Sequence, residues 1–291
     1  MSDRDLEVRV PAVAGAFYPA RPEGLRQLVE ACLTAAGEPA VGARPIGALV
    51  PHAGLVYSGS IAAAGWRALL RDAGDEPTIV ILGTNHSAWL EGVAVFEAGA
   101  WRTPLGDVPV DAAIAARILA IGEPFAANRA AHRSEHSIEV QLPIVTTLRP
   151  GARIVPCSVA AGTGREAVEA GDRLGTLLGE LRAQGREILL AISTDMAHYP
   201  SHEEAVAVTG RLVPAIVSLD PVALAIRERA ETRSGVPGMA CGMCGIQPSV
   251  LGLAALRAMG ASSGVVAGAA TSADAGAEPE RTVGYLAVLF S

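Results

Sequence analysis

Three apolar runs along the chain each give way to a short polar stretch that carries a histidine. The run at 46–50 (I-G-A-L-V) leads to Pro51 and His52, that at 78–83 (T-I-V-I-L-G) to Thr84, Asn85 and His86, and that at 187–192 (E-I-L-L-A-I) to Ser193, Thr194, Asp195 and His198. Uninterrupted apolar runs of this length predict strands buried on both faces. Pro51 has no N–H for a ladder, so the first strand ends at His52, and Gly54 and Gly59 let the backbone turn sharply after it. Open α/β sheets place their ligands just beyond the C-terminal ends of their strands. The three histidines are therefore expected to converge on one edge of one sheet.

The rest of the pattern alternates strand and helix. Apolar spacing predicts helices at 25–36, 60–71, 111–120, 165–182, 202–219, 221–230 and 248–259, and strands at 153–159, 265–271 and 282–290. Asp220 and Pro221 read as the cap and first residue of their helix. The segment 92–109 alternates and carries turn residues, so it reads as a strand or hairpin excursion. A further helix is predicted from Glu135 to about Leu148, with Pro143 marking either a first turn or a kink. Residues 1–24 form an irregular lead-in whose Phe17 and Tyr18 pin it to the body, and 128–134 reads as a loop. With no linker or internal repeat, the expectation is one α/β domain over 1–291, a central mostly parallel or mixed sheet flanked by helices.

Composition narrows the function classes. Half of the 291 residues are hydrophobic, ample for a core, and the formal charge is -7 with scattered Lys and Arg. That argues against a nucleic-acid partner, which needs a clustered basic footprint. The opening M-S-D-R-D-L-E-V-R-V lacks the apolar core of a signal peptide, and no apolar run reaches membrane-spanning length. A cytoplasmic protein with no membrane partner is expected. Four cysteines (Cys32, Cys157, Cys241, Cys244) in a chain this long do not form a disulfide framework. Cys32 falls on the apolar face of its helix and reads as a small buried hydrophobe.

Imidazole is the commonest ligand for iron, zinc or copper, and two histidines with one anionic ligand leave positions open for substrate. Asp195, three residues before His198, is one candidate anion, although an acid beside a histidine also serves to orient the ring. Cys241 is the other, placed before a helix whose dipole favours the thiolate. Cys241 and Cys244 together form C-x-x-C, which also has structural-zinc and dithiol-redox readings. His136 and Glu139 lie one helical turn apart in E-H-S-I-E, so both are placed to face the site or to make a solvated first turn.

Six ordered motifs carry a resemblance. P-H-A-G-L-V-Y-S-G at 51–59, L-G-T-N-H at 82–86, W-R-T-P-L-G at 101–106, E-H-S-I-E-V-Q-L-P at 135–143, S-T-D-M-A-H-Y at 193–199 and C-G-M-C-G-I at 241–246 resemble the Memo family, whose bacterial and archaeal members are called AmmeMemoRadiSam system protein B. The resemblance spans nearly the whole chain. It implies a fold similar to the catalytic subunit of class III extradiol dioxygenases, which are non-haem Fe(II) enzymes. It implies His52, His86 and Cys241 as metal ligands, His198 as acid/base with Asp195 beside it, and a site role for His136. Where many members carry His or Gly after C-G-x, this chain has Cys244. Thiolate in place of carboxylate favours copper(I), zinc or iron of altered potential. The expected function is a redox enzyme using Fe(II), or copper or zinc, on an unidentified small molecule. The family name further implies an AMMECR-type protein and a radical SAM enzyme as pathway partners. The alternatives are a binding or scaffold protein that kept the pocket, and a zinc hydrolase.

Overall fold

The most apolar runs of the chain become its most deeply buried strands. A computed structural model describes residues 7–37 and 43–291 of the chain; part of the charged opening, residues 1–6, lies outside them. In chain order the elements are β1 (Val8–Arg9), α1 (Pro22–Ala35), β2 (Gly47–Val50), α2 (Leu55–Leu70), β3 (Thr78–Thr84), β4 (Gly92–Val95), β5 (Ala100–Thr103), β6 (Gly106–Pro109), α3 (Ala112–Leu119) and β7 (Phe125–Ala127). The second half adds α4 (Leu142–Leu148), β8 (Arg153–Ala160), α5 (Arg165–Ala183), β9 (Ile188–Ser193), α6 (His202–Val217), α7 (Pro221–Thr232), α8 (Ile246–Ala258), β10 (Gly264–Thr271) and β11 (Gly284–Phe290).

Eight strands form one mixed sheet in the order β10-β11-β2-β9-β3-β8-β4-β7. Its centre, β2-β9-β3-β8, is parallel, and antiparallel pairs at β11 and β4 extend it on either side. Strand alternation divides the side chains between two cores. Leu49, Val80, Leu82, Leu190 and Ile192 face one, beneath α3, α5, α6 and α8. Ala48, Val50, Ile79, Ile81, Leu189 and Ala191 face the other, beneath α1, α2 and α4. Each fully buried Leu, Ile or Val contributes about 1.5–3 kcal/mol to the folded state. The sheet is thus an α/β sandwich of helices around a mixed sheet, as expected. A small second sheet, β1-β5-β6, closes one side.

Helix α5 crosses α8 closely because Gly171 and Gly175 face it. A Cβ at either position would meet the Leu251 or Ala255 carbonyl oxygen, at 2.3 and 2.1 Å. Asp111 caps α3 through the Ile114 N–H, and Asp220 caps α7 through the N–H groups of Val222 and Ala223.

Three local features differ from the sequence-based expectation. Helix α2 begins at Leu55 and not at Ser60, so Gly59 lies inside it, packed against Cys32 Sγ, and makes no turn. Helix α4 begins at Leu142 and not at Glu135, and Pro143 occupies its first turn, where no N–H is missed. Glu135 diverts the earlier backbone, because its carboxylate accepts the N–H groups of His136 and Ser137 at 2.8 and 2.9 Å. Strand β7, at the sheet edge, was not anticipated. Its three residues are too few for a periodic signal, and only Phe125 among them is buried.

For function the decisive feature is register. Val50 and Gly83 both pair with Ser193, so β2, β3 and β9 end side by side. His52, His86 and Asp195 follow immediately on that common edge.

Candidate metal centre

His52 is buried, and its tautomer follows from its neighbours. Its Nδ1 lies 3.0 Å from Ser193 Oγ. That hydroxyl donates to the Ser137 carbonyl at 2.6 Å and accepts from Gln141 Nε2 at 3.0 Å. One proton and two lone pairs are all a hydroxyl has, so Nδ1–H of His52 donates and Nε2 keeps its lone pair. Gln141 is fixed in turn by Trp66 Nε1–H at 2.7 Å and by its own bond to the Pro51 carbonyl at 2.8 Å.

His86 is set by the same logic from the next strand. Its Nδ1 lies 3.0 Å from Glu135 Oε1, and its backbone N–H donates to Oε2 at 2.6 Å. Burial alone would raise the Glu135 carboxyl, but the donors from His86 and Ser137 hold it well below the usual carboxylate range. A carboxylate so held accepts a hydrogen bond from His86 Nδ1–H and leaves Nε2 as the ligating atom.

The thiol that reaches these imidazoles belongs to Cys244. His52, His86 and Cys244 place one donor atom each within 4.8 Å of one another, with Cys244 Sγ 3.4 Å from His52 Nε2. The expected ligand, Cys241, joins no such group among the described residues. Its backbone is paired instead, in an isolated bridge where Cys241 carbonyl accepts the His198 N–H at 3.1 Å. Three residues later, in the turn that leads into α8, the Cys244 N–H donates to the Asp195 carbonyl at 3.2 Å, which carries the thiol across to His52. Gly245 permits this passage: a Cβ there would lie 2.4 Å from Thr194 Cβ.

Asp195 does not bond to His198. Its Oδ1 accepts the His52 N–H at 2.7 Å, so it fixes the loop that carries the first imidazole. Burial raises its carboxyl to about 7, against the lowering effect of the N–H groups of His52 and Ala53. His198 is bridged on both sides, to Cys241 and to Val283, and its Nε2 is buried with no hydrogen-bond partner. Burial, and then the neighbouring His86, lower it to about 4, so at neutral pH it is an uncharged base.

His136 joins the group from Glu135's own segment. Its ring stacks on His86 at 4.5 Å, stands edge-on to His52 at 5.4 Å and meets Phe17 at 4.7 Å. Burial lowers its pKa, as it does strongly for His52, where His86 and His136 add to the effect. Glu139, the other acid of E-H-S-I-E, turns away from the site. It is fully buried, pairs with Arg9 Nη1 at 2.5 Å and accepts Tyr18 Oη at 2.6 Å and the N–H groups of Ala12 and Val13. It pins the lead-in to the body.

Ser193, Ser137, Gln141 and Glu135 are the residues that sequence reasoning passed over. Their signal was present as polar side chains at the end of a buried apolar strand and inside E-H-S-I-E-V-Q. Among the described residues no helix is long and apolar enough to cross a membrane.

A family model described as "Memo-like protein" matches residues 9–289. A MEMO1 family protein of Methanopyrus kandleri is 36% identical over 291 residues, covering 97% of this chain and 98% of that protein. A MEMO1 family protein of Methanocaldococcus jannaschii is 34% identical over 295 residues, covering 97% and 99%. Among solved structures, an uncharacterized protein from Escherichia coli K12 superposes with a TM-score of 0.55 at 16% identity, covering 85% of this chain and all of that one. This last likeness concerns the fold.

Proposed function

As this chain belongs to the Memo family, we propose that it is a metal-dependent redox enzyme whose iron or copper is held by His52, His86 and Cys244. The observation that carries the reading is the 3.4 Å between Cys244 Sγ and His52 Nε2, with the Nδ1 atoms of both histidines already engaged. Imidazole and thiolate donors on one tetrahedral ion, at about 2.05 and 2.3 Å, stand roughly 3.6 Å apart. The donor set therefore fits such an ion. The thiol is raised well above its usual range by burial and by Asp195, so the thiolate form calls for a cation beside it.

When bound, iron or copper supplies a Lewis-acidic centre capable of one-electron chemistry. The chain's own residues supply the rest. His198, neutral and with a free Nε2, takes a proton from the bound small molecule and returns it later. Asp195 keeps His52 in place through its backbone. His136 packs against the imidazole cluster on one side, with Phe17 against its ring. In this reading the protein works in the reducing cytosol, where Cys244 is kept from disulfide oxidation, alongside the AMMECR-type and radical SAM proteins of one pathway.

The thiolate also favours a second reading. It suits zinc as well as copper(I), and His198 would then take its proton from a water. Metal analysis of untagged protein handled anaerobically, with His52→Ala and Cys244→Ser as controls, separates the two. Nearly one iron or copper per chain, absent from both variants and accompanied by oxygen uptake, supports the redox enzyme. Zinc with oxygen-independent turnover supports the hydrolase, and no metal in any sample leaves a binding protein.

A further inference from the structure

Beside His198 the backbone takes a conformation that a non-glycine residue seldom adopts. Tyr199 has φ +72°, and such positions persist only where their surroundings impose them. Here they are imposed: Tyr199 N–H donates to the Thr282 carbonyl at 2.6 Å, and Thr282 N–H donates to the Pro200 carbonyl at 2.8 Å. The turn swings the Tyr199 ring to 5.5 Å from the His198 ring while leaving it 40% exposed. The same Thr282 brings its neighbour Arg281 onto the tyrosine. The guanidinium carbon lies 4.2 Å from the ring centroid.

Arg281 is exposed and forms neither an ion pair nor a side-chain hydrogen bond among the described residues. The Arg281 N–H donates to the Glu278 carbonyl at 3.4 Å, but the side chains of Glu278 and Glu280 do not engage the guanidinium. Stacking fixes the plane of a guanidinium yet leaves its N–H edges free, which is the geometry for bidentate capture of a carboxylate. Arg281 stacked on Tyr199 beside His198 is thus an oriented cation next to the His198 ring.

We propose that Arg281, held on Tyr199 beside His198, is the residue that selects the substrate, binding the carboxylate of a small organic acid at the mouth of the site. This rests on the reading of His198 as the acid/base of a metal centre. Tyr199 is then the positioning residue, and its strained turn is what aims the guanidinium.

Benzoate and benzamide have nearly the same shape and differ in charge, so they are the probes. Their affinities are measured by calorimetry or NMR on the full chain as purified and after metal loading, with metal content determined on each sample. We expect benzoate to bind at least about tenfold more tightly than benzamide, to shift the His198 imidazole resonances, and to weaken with salt. Arg281→Gln abolishes the preference and Arg281→Lys restores part of it. Tyr199→Leu reduces it about threefold, the loss expected when the stack no longer holds the arginine. Equal binding of the two probes to the wild-type chain, or a preference that survives in Arg281→Gln, overturns the assignment. Metal-free samples give the same comparison, so failure of the metal reading and failure of this one are told apart.

Discussion

Ser193 Oγ, 3.0 Å from His52 Nδ1, settles which nitrogen of that histidine is free, because its own proton already lies on the Ser137 carbonyl. A hydroxyl on β9 thus prepares an imidazole carried by the loop after β2. The same task falls to Glu135 at His86.

Removing either partner should weaken metal binding without touching a ligand. For Ser193→Ala and Glu135→Gln we expect affinity to fall about 10–100-fold, read by competition with a chromophoric chelator. Wild-type affinity in both variants would mean that ring orientation is set elsewhere.

The two thiols of C-G-M-C should behave differently. Loaded with cobalt(II), the wild-type chain should show a thiolate-to-metal absorption band that Cys244→Ser loses and Cys241→Ser keeps. The reverse pattern would return Cys241 to the ligand set.

His132 sits in the core, with Nε2 3.0 Å from the Ala94 carbonyl and Phe96 and Trp101 against its ring. Burial lowers it to about 4, below its unfolded value near 6.5. The unfolded chain therefore takes up the proton first, and stability is lost as pH falls from about 6.5 to about 4. His132 contributes about 3 kcal/mol of that loss. His132→Gln keeps a donor and cannot titrate, so urea unfolding at pH 7.5 and 4.5 should show a smaller acid loss in the variant. Equal losses would place the titration in the other buried histidines.

Glu139 neutralises Arg9, whose guanidinium lies 4.2 Å over the Trp101 ring in the interior. Glu139→Ala leaves a buried cation and two N–H groups without their acceptor, and should cost about 3–5 kcal/mol in urea unfolding. The paired variant Arg9→Met with Glu139→Gln should recover part of the loss. A cost below about 1 kcal/mol would show that water reaches Arg9.

His52 and His86 were legible because uniformly apolar runs have an unmistakable end, and the fold followed from the same runs. Cys241 is favoured in the sequence by its place before a helix and by the resemblance. In the fold, the backbone pairing of residue 241 with residue 198 leaves Cys244 as the thiol beside His52, and such long-range pairing leaves no local period. Asp195 misled for a related reason. Three positions from His198 it looks like that residue's partner, yet its carboxylate reaches across to His52. Arg9 and Glu139, 130 positions apart, are each unremarkable until the fold joins them.

His52 and Cys244 are separated by 192 positions, with His86 and Ser193 between them. A centre assembled from such distant segments cannot exist in a half-made chain, since loops of this length close only when the parallel strands have found their order. Loading with metal would then mark the end of folding. An ion bound only by the finished structure would also hold it closed, by about 2.7 kcal/mol at a free concentration a hundredfold above its dissociation constant. A chain clipped before Cys244 would be left with two imidazoles and no grip.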